Sequence, residues 1–96
     1  MRLQEIQIKT LQLFEQGNEL TKEQEYELFI DAIQSEDFLY TRERRTSQYS
    51  NQYTVIAYLK DDNSTTGKWG VASLPEDLAS KALHDHGKNK SFGSII

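Results

Sequence analysis

The feature that most constrains the fold is a change of apolar periodicity about a third of the way along the chain. Before it, Tyr26, Phe29, Ile30 and Ile33 recur at i, i+3, i+4 and i+7, which is the spacing of a helix face. After it, residues 53–59 form an almost continuous run of β-branched and aromatic residues, which favours a strand. The chain is therefore expected to combine helices and strands in one fold.

The first segment, about residues 2–16, has an apolar arc at 100° per residue and is interpreted as an amphipathic helix. An opening strand through residues 3–8 is the alternative, because Ile6 and Ile8 alternate with polar residues. The second segment, about 22–34, begins with a capping box in which Thr21 and Gln24 satisfy each other's backbone amides. Two antiparallel helices joined by a short turn are expected.

Residues 38–45 are β-prone, 53–59 are the best strand, and 68–72 return as a short strand after a polar loop. This order predicts a hairpin, or a three-stranded antiparallel sheet if the first of these segments also pairs. A last helix is expected to begin at Ser73–Glu76 with a second capping box and to end near residue 86, before Gly87.

The predicted fold class is α+β, a small single domain of order α-α-β-β-(β)-α with its sheet packed on helices. We expect residues 1–87 to form this domain and residues 88–96 to be a flexible C-terminal tail. The candidate core residues are Leu13, Phe14, Phe29, Ile30, Ile33, Val55, Ala57, Trp69, Val71, Leu78 and Leu83.

Charge is unevenly distributed along the 96 residues, whose formal net charge is -4. Residues 1–37 hold nine acids and three bases, whereas residues 38–60 hold one acid and four bases, three of them within four positions. The chain contains no cysteine, and its N-terminal segment is too polar for a signal peptide or a membrane span, so a cytoplasmic location and no membrane association are expected.

The basic segment is the predicted partner-binding surface. On a strand, Tyr40, Arg42 and Arg44 would point to one face, and Arg45 would point to the other with Thr41 and Glu43. Protein interfaces use arginine and tyrosine in this way, single-stranded nucleic-acid sites use the same pair, and a solvated edge strand is the third interpretation. The full predicted surface consists of Tyr40, Arg42, Arg44, Arg45, Tyr49, Tyr53 and Tyr58.

A second predicted surface is acidic and lies on the helical half. Its members are Glu19, Glu23, Glu27 and Asp31. A rigid acidic surface can imitate the phosphates of nucleic acid, as small proteins of mobile elements and bacteriophages do, although ordinary solubility is the simpler interpretation.

No motif in the chain indicates catalysis, a metal or a cofactor. His84 and His86 are two residues apart at a helix end, a spacing that does not place two ligands on one helix face. Ser80 and His84 share a helix face, but no orienting acid or oxyanion hole accompanies them in the sequence. We therefore expect a non-enzymatic protein-interaction module, a regulator or inhibitor of another protein. A single-stranded nucleic-acid-binding module and a small enzyme or enzyme subunit are the alternatives, and self-association is left open.

Overall fold

A computed structural model of the chain describes residues 1–17, 19–45 and 52–87. The predicted tail 88–96 lies outside the described residues. Three helices and three strands follow one another in the order α-α-β-β-β-α, which confirms the predicted α+β class. They are α1 (Leu3–Gln16), α2 (Lys22–Ile33), β1 (Phe38–Arg45), β2 (Tyr53–Lys60), β3 (Lys68–Pro75) and α3 (Glu76–His86).

The sheet is an antiparallel meander in which β2 lies between β1 and β3. Tyr40 pairs with Tyr58 on one side of β2, and Gly70 pairs with Tyr58 on the other. The first β-prone segment therefore does pair, so the three-stranded form of the prediction is confirmed. One extra residue interrupts the β2–β3 ladder near Ala72, which has a positive φ of 55°. Because of this bulge, Val71 and Leu74 both point to the core although they are three positions apart.

The two predicted N-terminal helices form, and residues 3–8 belong to a helix rather than to a strand. The capping box of α2 is present: the Gln24 amide donates to Thr21 Oγ1 at 3.1 Å, and the Thr21 amide donates to Gln24 Oε1 at 2.9 Å. At the start of α1, the Leu3 amide donates to Asp37 Oδ2 at 2.9 Å, although the two residues are 34 positions apart. This contact places the start of α1 beside the end of α2, so the two helices run antiparallel.

The predicted start of the last helix is wrong. Residues 73–75 continue β3, where Leu74 pairs with Val55 and Pro75 with Thr54, so α3 begins only at Glu76. Pairing with β2 supplies hydrogen bonds to the backbone of residues 73–75 and buries Leu74. A helix that started at Ser73 would lose both this pairing and this burial. Ser73 therefore forms no capping box, and Pro75 occupies the N-cap position without a side-chain cap. The predicted end before Gly87 is confirmed.

The core lies between the helices and the sheet face that carries Val55, Ala57 and Leu59. Six predicted core residues are buried, and four more pack partly buried against them, namely Leu13, Ile30, Trp69 and Leu78. A further set of residues is buried without having been predicted as core: Leu3, Ile6, Leu28, Ala32, Leu59, Leu74, Ala79 and Ala82.

Phe14 was wrongly predicted to be a core residue, since 46% of it is exposed. Its angular position on α1 is close to that of Leu3, which is buried. The difference arises along the helix axis: α1 buries residues only in its first two turns, at Leu3 and Ile6. Periodicity predicts the side of a helix that faces the core, but it does not predict how far along the helix the contact extends.

A buried hydroxyl in β1 leads to the first testable prediction. Thr41 is 1% exposed, and its Oγ1 has no hydrogen-bond partner among the described residues. A buried polar group without a partner keeps its desolvation cost, so we expect Thr41→Val to raise the free energy of unfolding by about 1 kcal/mol. Urea titration followed by circular dichroism measures this. Thr41→Ser is the control: it keeps the hydroxyl, removes a methyl group and is expected to destabilise. A destabilised valine variant would contradict the prediction.

Candidate binding surface

Alternate side chains of the three strands point away from the helices and form what we call the open sheet face. It includes Tyr40, Arg42, Arg44, Ile56, Tyr58, Lys68 and Gly70. The strand register shows the alternation predicted for β1: Thr41 pairs with the core residue Ala57, whereas Arg42 pairs with Ile56. Thr41 is buried, and residues 42–45 are all exposed. The strand register therefore brings together residues from three separate parts of the sequence.

Two tyrosines and one lysine form a compact cluster on the open sheet face. The ring centroids of Tyr40 and Tyr58 are 5.4 Å apart, with 46° between the ring planes. Lys68 Nζ lies 5.3 Å from the centroid of Tyr40 and 4.9 Å from that of Tyr58, and it donates a hydrogen bond of 2.7 Å to Tyr40 Oη. Cation–π attraction and this hydrogen bond hold the ammonium group over the rings.

Gly70 provides the space for this cluster. It pairs with Tyr58 across the ladder, and a Cβ atom at this position would lie 3.1 Å from Tyr58 Cε1 and 3.2 Å from Ile56 Cγ2. Both distances are shorter than ordinary van der Waals contacts. A larger residue at this position would therefore push the ring of Tyr58 away from its present place beside Tyr40.

Arg42 and Arg44 extend the positive charge along β1. Both are exposed, and within the described ranges no carboxylate forms an ion pair with either of them. With Ile56, Tyr58 and their strand neighbours Glu43 and Arg45, they line a depression of about 420 Å³. Guanidinium groups at alternate positions of one strand can therefore bind anionic groups that do not belong to the described residues.

The predicted partner-binding residues do not all lie together. Arg45 and Tyr53 face each other across the ladder on the opposite side of the sheet, where Arg45 Nη2 donates to Tyr53 Oη at 2.9 Å and the guanidinium carbon lies 5.5 Å from the ring centroid. Tyr49 lies outside the described residues. Within the described part of the chain, the open sheet face therefore keeps Tyr40, Arg42, Arg44 and Tyr58 from the predicted set.

Three residues of the open sheet face were missed by the sequence analysis: Ile56, Lys68 and Gly70. For Lys68 and Gly70 the sequence predicts a strand, without an assignment to a face of the sheet. The available signal was the alternation of Lys68, Trp69 and Gly70, which puts the lysine and the glycine on the same side.

The predicted acidic surface is partly neutralised by the chain itself. Glu19, Glu23 and Glu27 are exposed, but Lys9 Nζ lies 2.7 Å from both Glu27 Oε1 and Asp31 Oδ2. Burial by itself lowers the pKa of Lys9, yet hydrogen bonds and charge attraction from Asp31 and Glu27 outweigh it and raise the pKa above its ordinary value. One end of the acidic surface is thus an internal ion-pair cluster.

A second depression, of about 320 Å³, lies between α1, α2 and β3. Phe14, Leu20 and Trp69 line it together with Glu25, and burial raises the pKa of the Glu25 carboxyl above its ordinary value. Trp69 is half-buried in this lining and packs against the core.

The histidines near the end of α3 do not belong to a larger cluster of ligands. His84 is exposed, and its Nδ1 lies 3.1 Å from Asp85 Oδ1. Within residues 1–17, 19–45 and 52–87, no three histidine or acidic side chains are grouped in a way that would hold a metal ion. None of the helices in the same ranges has the length and apolar character needed to cross a membrane.

The fold and the open sheet face together define a class: a small α+β domain whose helices cover one face of a meander and whose other face presents cations beside a tilted pair of tyrosines. No protein-family model, curated protein or solved structure matches this chain. The function of the protein is therefore inferred from the chemistry of its own surface.

Proposed function

We propose that this protein is a non-enzymatic interaction module that binds an acidic segment of another protein on the open sheet face. The observation that carries the proposal is the pair of exposed arginines, Arg42 and Arg44, which have no carboxylate partner among the described residues. On the same face the Tyr40–Tyr58 pair holds the ammonium group of Lys68 in place.

The geometry of β1 supports a carboxylate-bearing, extended partner. Alternate residues of a strand are about 7 Å apart, so Arg42 and Arg44 match the alternate side chains of an extended peptide. Each guanidinium group can donate two parallel hydrogen bonds to one carboxylate. Lys68 adds a third cation on a neighbouring part of the same face, although its contacts with the tyrosines use one of its donors.

Binding of this kind is compatible with a regulatory or inhibitory role. A domain that covers an acidic segment of its partner prevents other basic proteins from reaching that segment. Electrostatic complementarity also raises the rate of encounter and selects among partners. Regulation by occlusion is therefore the role that we attach to the proposed binding.

Single-stranded nucleic acid is the second candidate, because tyrosines next to cations on a sheet face also suit bases and phosphates. Base stacking requires a free ring face, however, and Lys68 Nζ stands within 5.3 Å of the centroids of both Tyr40 and Tyr58. A base would have to displace this ammonium group. For this reason a protein carboxylate is favoured over a stacked nucleobase.

The second testable prediction concerns the two arginines. The probe is a fluorescein-labelled peptide of alternating glutamate and serine, and its anisotropy is measured at low salt. We expect the double substitution Arg42→Ala and Arg44→Ala to weaken binding by about tenfold, because two charged contacts worth up to about 1 kcal/mol each are lost. Added salt is expected to weaken binding to the parent protein.

Arg45→Ala is the matched control, since Arg45 is the next residue of β1 but pairs with Tyr53 on the opposite side. We expect it to bind the glutamate peptide as the parent does. Equal loss in both variants, or equal affinity for the same peptide with glutamine in place of glutamate, would contradict the proposal. A labelled oligothymidine that binds more tightly than the peptide, and that loses affinity on Tyr58→Ala, would favour the nucleic-acid function.

A further inference from the structure

Helix α1 carries more apolar surface than the fold buries. Ile8, Leu11 and Phe14, here called the α1 stripe, are 55%, 62% and 46% exposed. In the same half of the helix, Leu13 packs only partly buried against the core. Three large apolar side chains on one solvated helix are unusual where solubility alone selects the surface, and such patches mark contact sites.

The α1 stripe forms one continuous face. Its members are three residues apart, so at 100° per residue they cover an arc of about 120° with Leu11 in the middle. This arc does not include Ile6, which faces the core, nor Lys9, which is engaged by Glu27 and Asp31. The stripe therefore adjoins the core-facing side of α1 at Phe14 and continues from there to Leu11 and Ile8, which the fold leaves exposed.

We propose that the α1 stripe is the interface of a homodimer in which the α1 helices of two copies pack antiparallel about a two-fold axis at Leu11. In this arrangement Leu11 meets the partner subunit's Leu11, and Ile8 meets the partner subunit's Phe14. A two-fold interface requires a patch that is complementary to itself, and a stripe with its central residue flanked symmetrically by apolar ones meets this requirement.

Charge selects the antiparallel orientation. Around the same axis Gln7 faces the partner subunit's Glu15, so an amide can donate to a carboxylate. A parallel pair would place Glu15 beside the partner subunit's Glu15 and would align the two helix dipoles, and both effects are unfavourable. The partner is therefore a second copy of this chain in a defined orientation.

The size of the α1 stripe predicts a weak dimer. Three half-exposed side chains and their neighbours bury less than the roughly 800 Å² per partner of a standard interface. We therefore expect a dissociation constant on the order of micromolar or tens of micromolar. The dimer is independent of the proposed acidic partner, because the stripe lies on α1 whereas the arginines that would bind the partner lie on β1.

Sedimentation equilibrium of the full chain across micromolar concentrations provides the third testable prediction. The average mass of the parent is expected to rise towards twice the chain mass, whereas Leu11→Glu stays at the monomer mass with an unchanged circular dichroism spectrum. Gln16→Glu is the control, because it adds the same charge to the same helix about 140° away from Leu11 and should still dimerise. A monomeric parent, or a dimer that Leu11→Glu leaves intact, would overturn the proposal.

The absence of cysteine from the chain allows the orientation to be tested directly. Single-cysteine variants are oxidised at a concentration at which the parent dimerises. Leu11→Cys is expected to form a covalent dimer, and Gln16→Cys is not. In an equal mixture of Ile8→Cys and Phe14→Cys, the mixed dimer is expected to dominate over the two self-linked dimers. Predominant self-linking in that mixture would overturn the antiparallel arrangement.

Discussion

Replacing Phe29 with alanine is expected to lower the free energy of unfolding by about 3–5 kcal/mol. Phe29 lies in α2, is 0% exposed and is among the largest fully buried side chains of the core. Removing the ring loses its burial energy and leaves a cavity that tightly packed neighbours cannot close. A domain of this size has a total stability of about 5–15 kcal/mol, so the loss is a substantial fraction of the total and is expected to lower the urea midpoint clearly.

Urea titration followed by circular dichroism measures this loss, and Phe14→Ala is the matched control. Phe14 is the same residue type on the neighbouring helix, but it is 46% exposed. At concentrations at which the protein is monomeric, its replacement is expected to cost less than about 1 kcal/mol. Similar losses for both phenylalanines would show that the two side chains are buried to a similar extent in solution.

Asp37→Ala is expected to lower the free energy of unfolding by about 2 kcal/mol, through the attachment of α1. The Asp37 carboxylate accepts the Leu3 amide at 2.9 Å at the positive end of the α1 dipole, and it lies 3.4 Å from Arg2 Nη1. Its side chain is only 21% exposed, so this charge-assisted hydrogen bond is worth more than a surface ion pair.

Glu36→Ala separates this effect from a general loss of negative charge. Glu36 is the adjacent acid, its side chain is 57% exposed, and its nearest cationic atoms are Arg2 Nε at 3.7 Å and the N-terminal nitrogen at 3.9 Å. Its removal is expected to cost less than about 0.5 kcal/mol in the same urea titration. Hydrogen exchange at α1 amides should accelerate in Asp37→Ala and not in Glu36→Ala, because only the former releases the start of the helix. Equal stability of the two variants would contradict the role assigned to Asp37.

The class of the fold and most element positions were accessible from local patterns. Thr21 and Gln24 form their capping box because both partners are three residues apart and need nothing beyond the first turn of α2. The side chains of Arg42 and Arg44 point to the face opposite that of Thr41, and this too depends only on the geometry of one strand. These features are determined by short-range chemistry, which a sequence displays directly.

Other features depended on contacts between distant segments. β3 extends to Pro75 because Pro75 pairs with Thr54 of β2. The packing of α1 on α2 likewise determines how many turns of α1 are buried. The cluster on the open sheet face depends on a register that places Lys68 over tyrosines 10 and 28 positions earlier in the chain. No local pattern encodes that register.

The sequence by itself thus determined the α+β class, the approximate helices and strands, and a cationic strand set apart from an acidic helical pair. Only the tertiary structure decided that Lys68 and Gly70 join the surface formed by Tyr40, Arg42 and Tyr58, and that Phe14 remains exposed. The physical reason is that propensity, capping and alternation act over a few residues. Register and depth of burial follow instead from which distant surfaces pack together at lowest free energy.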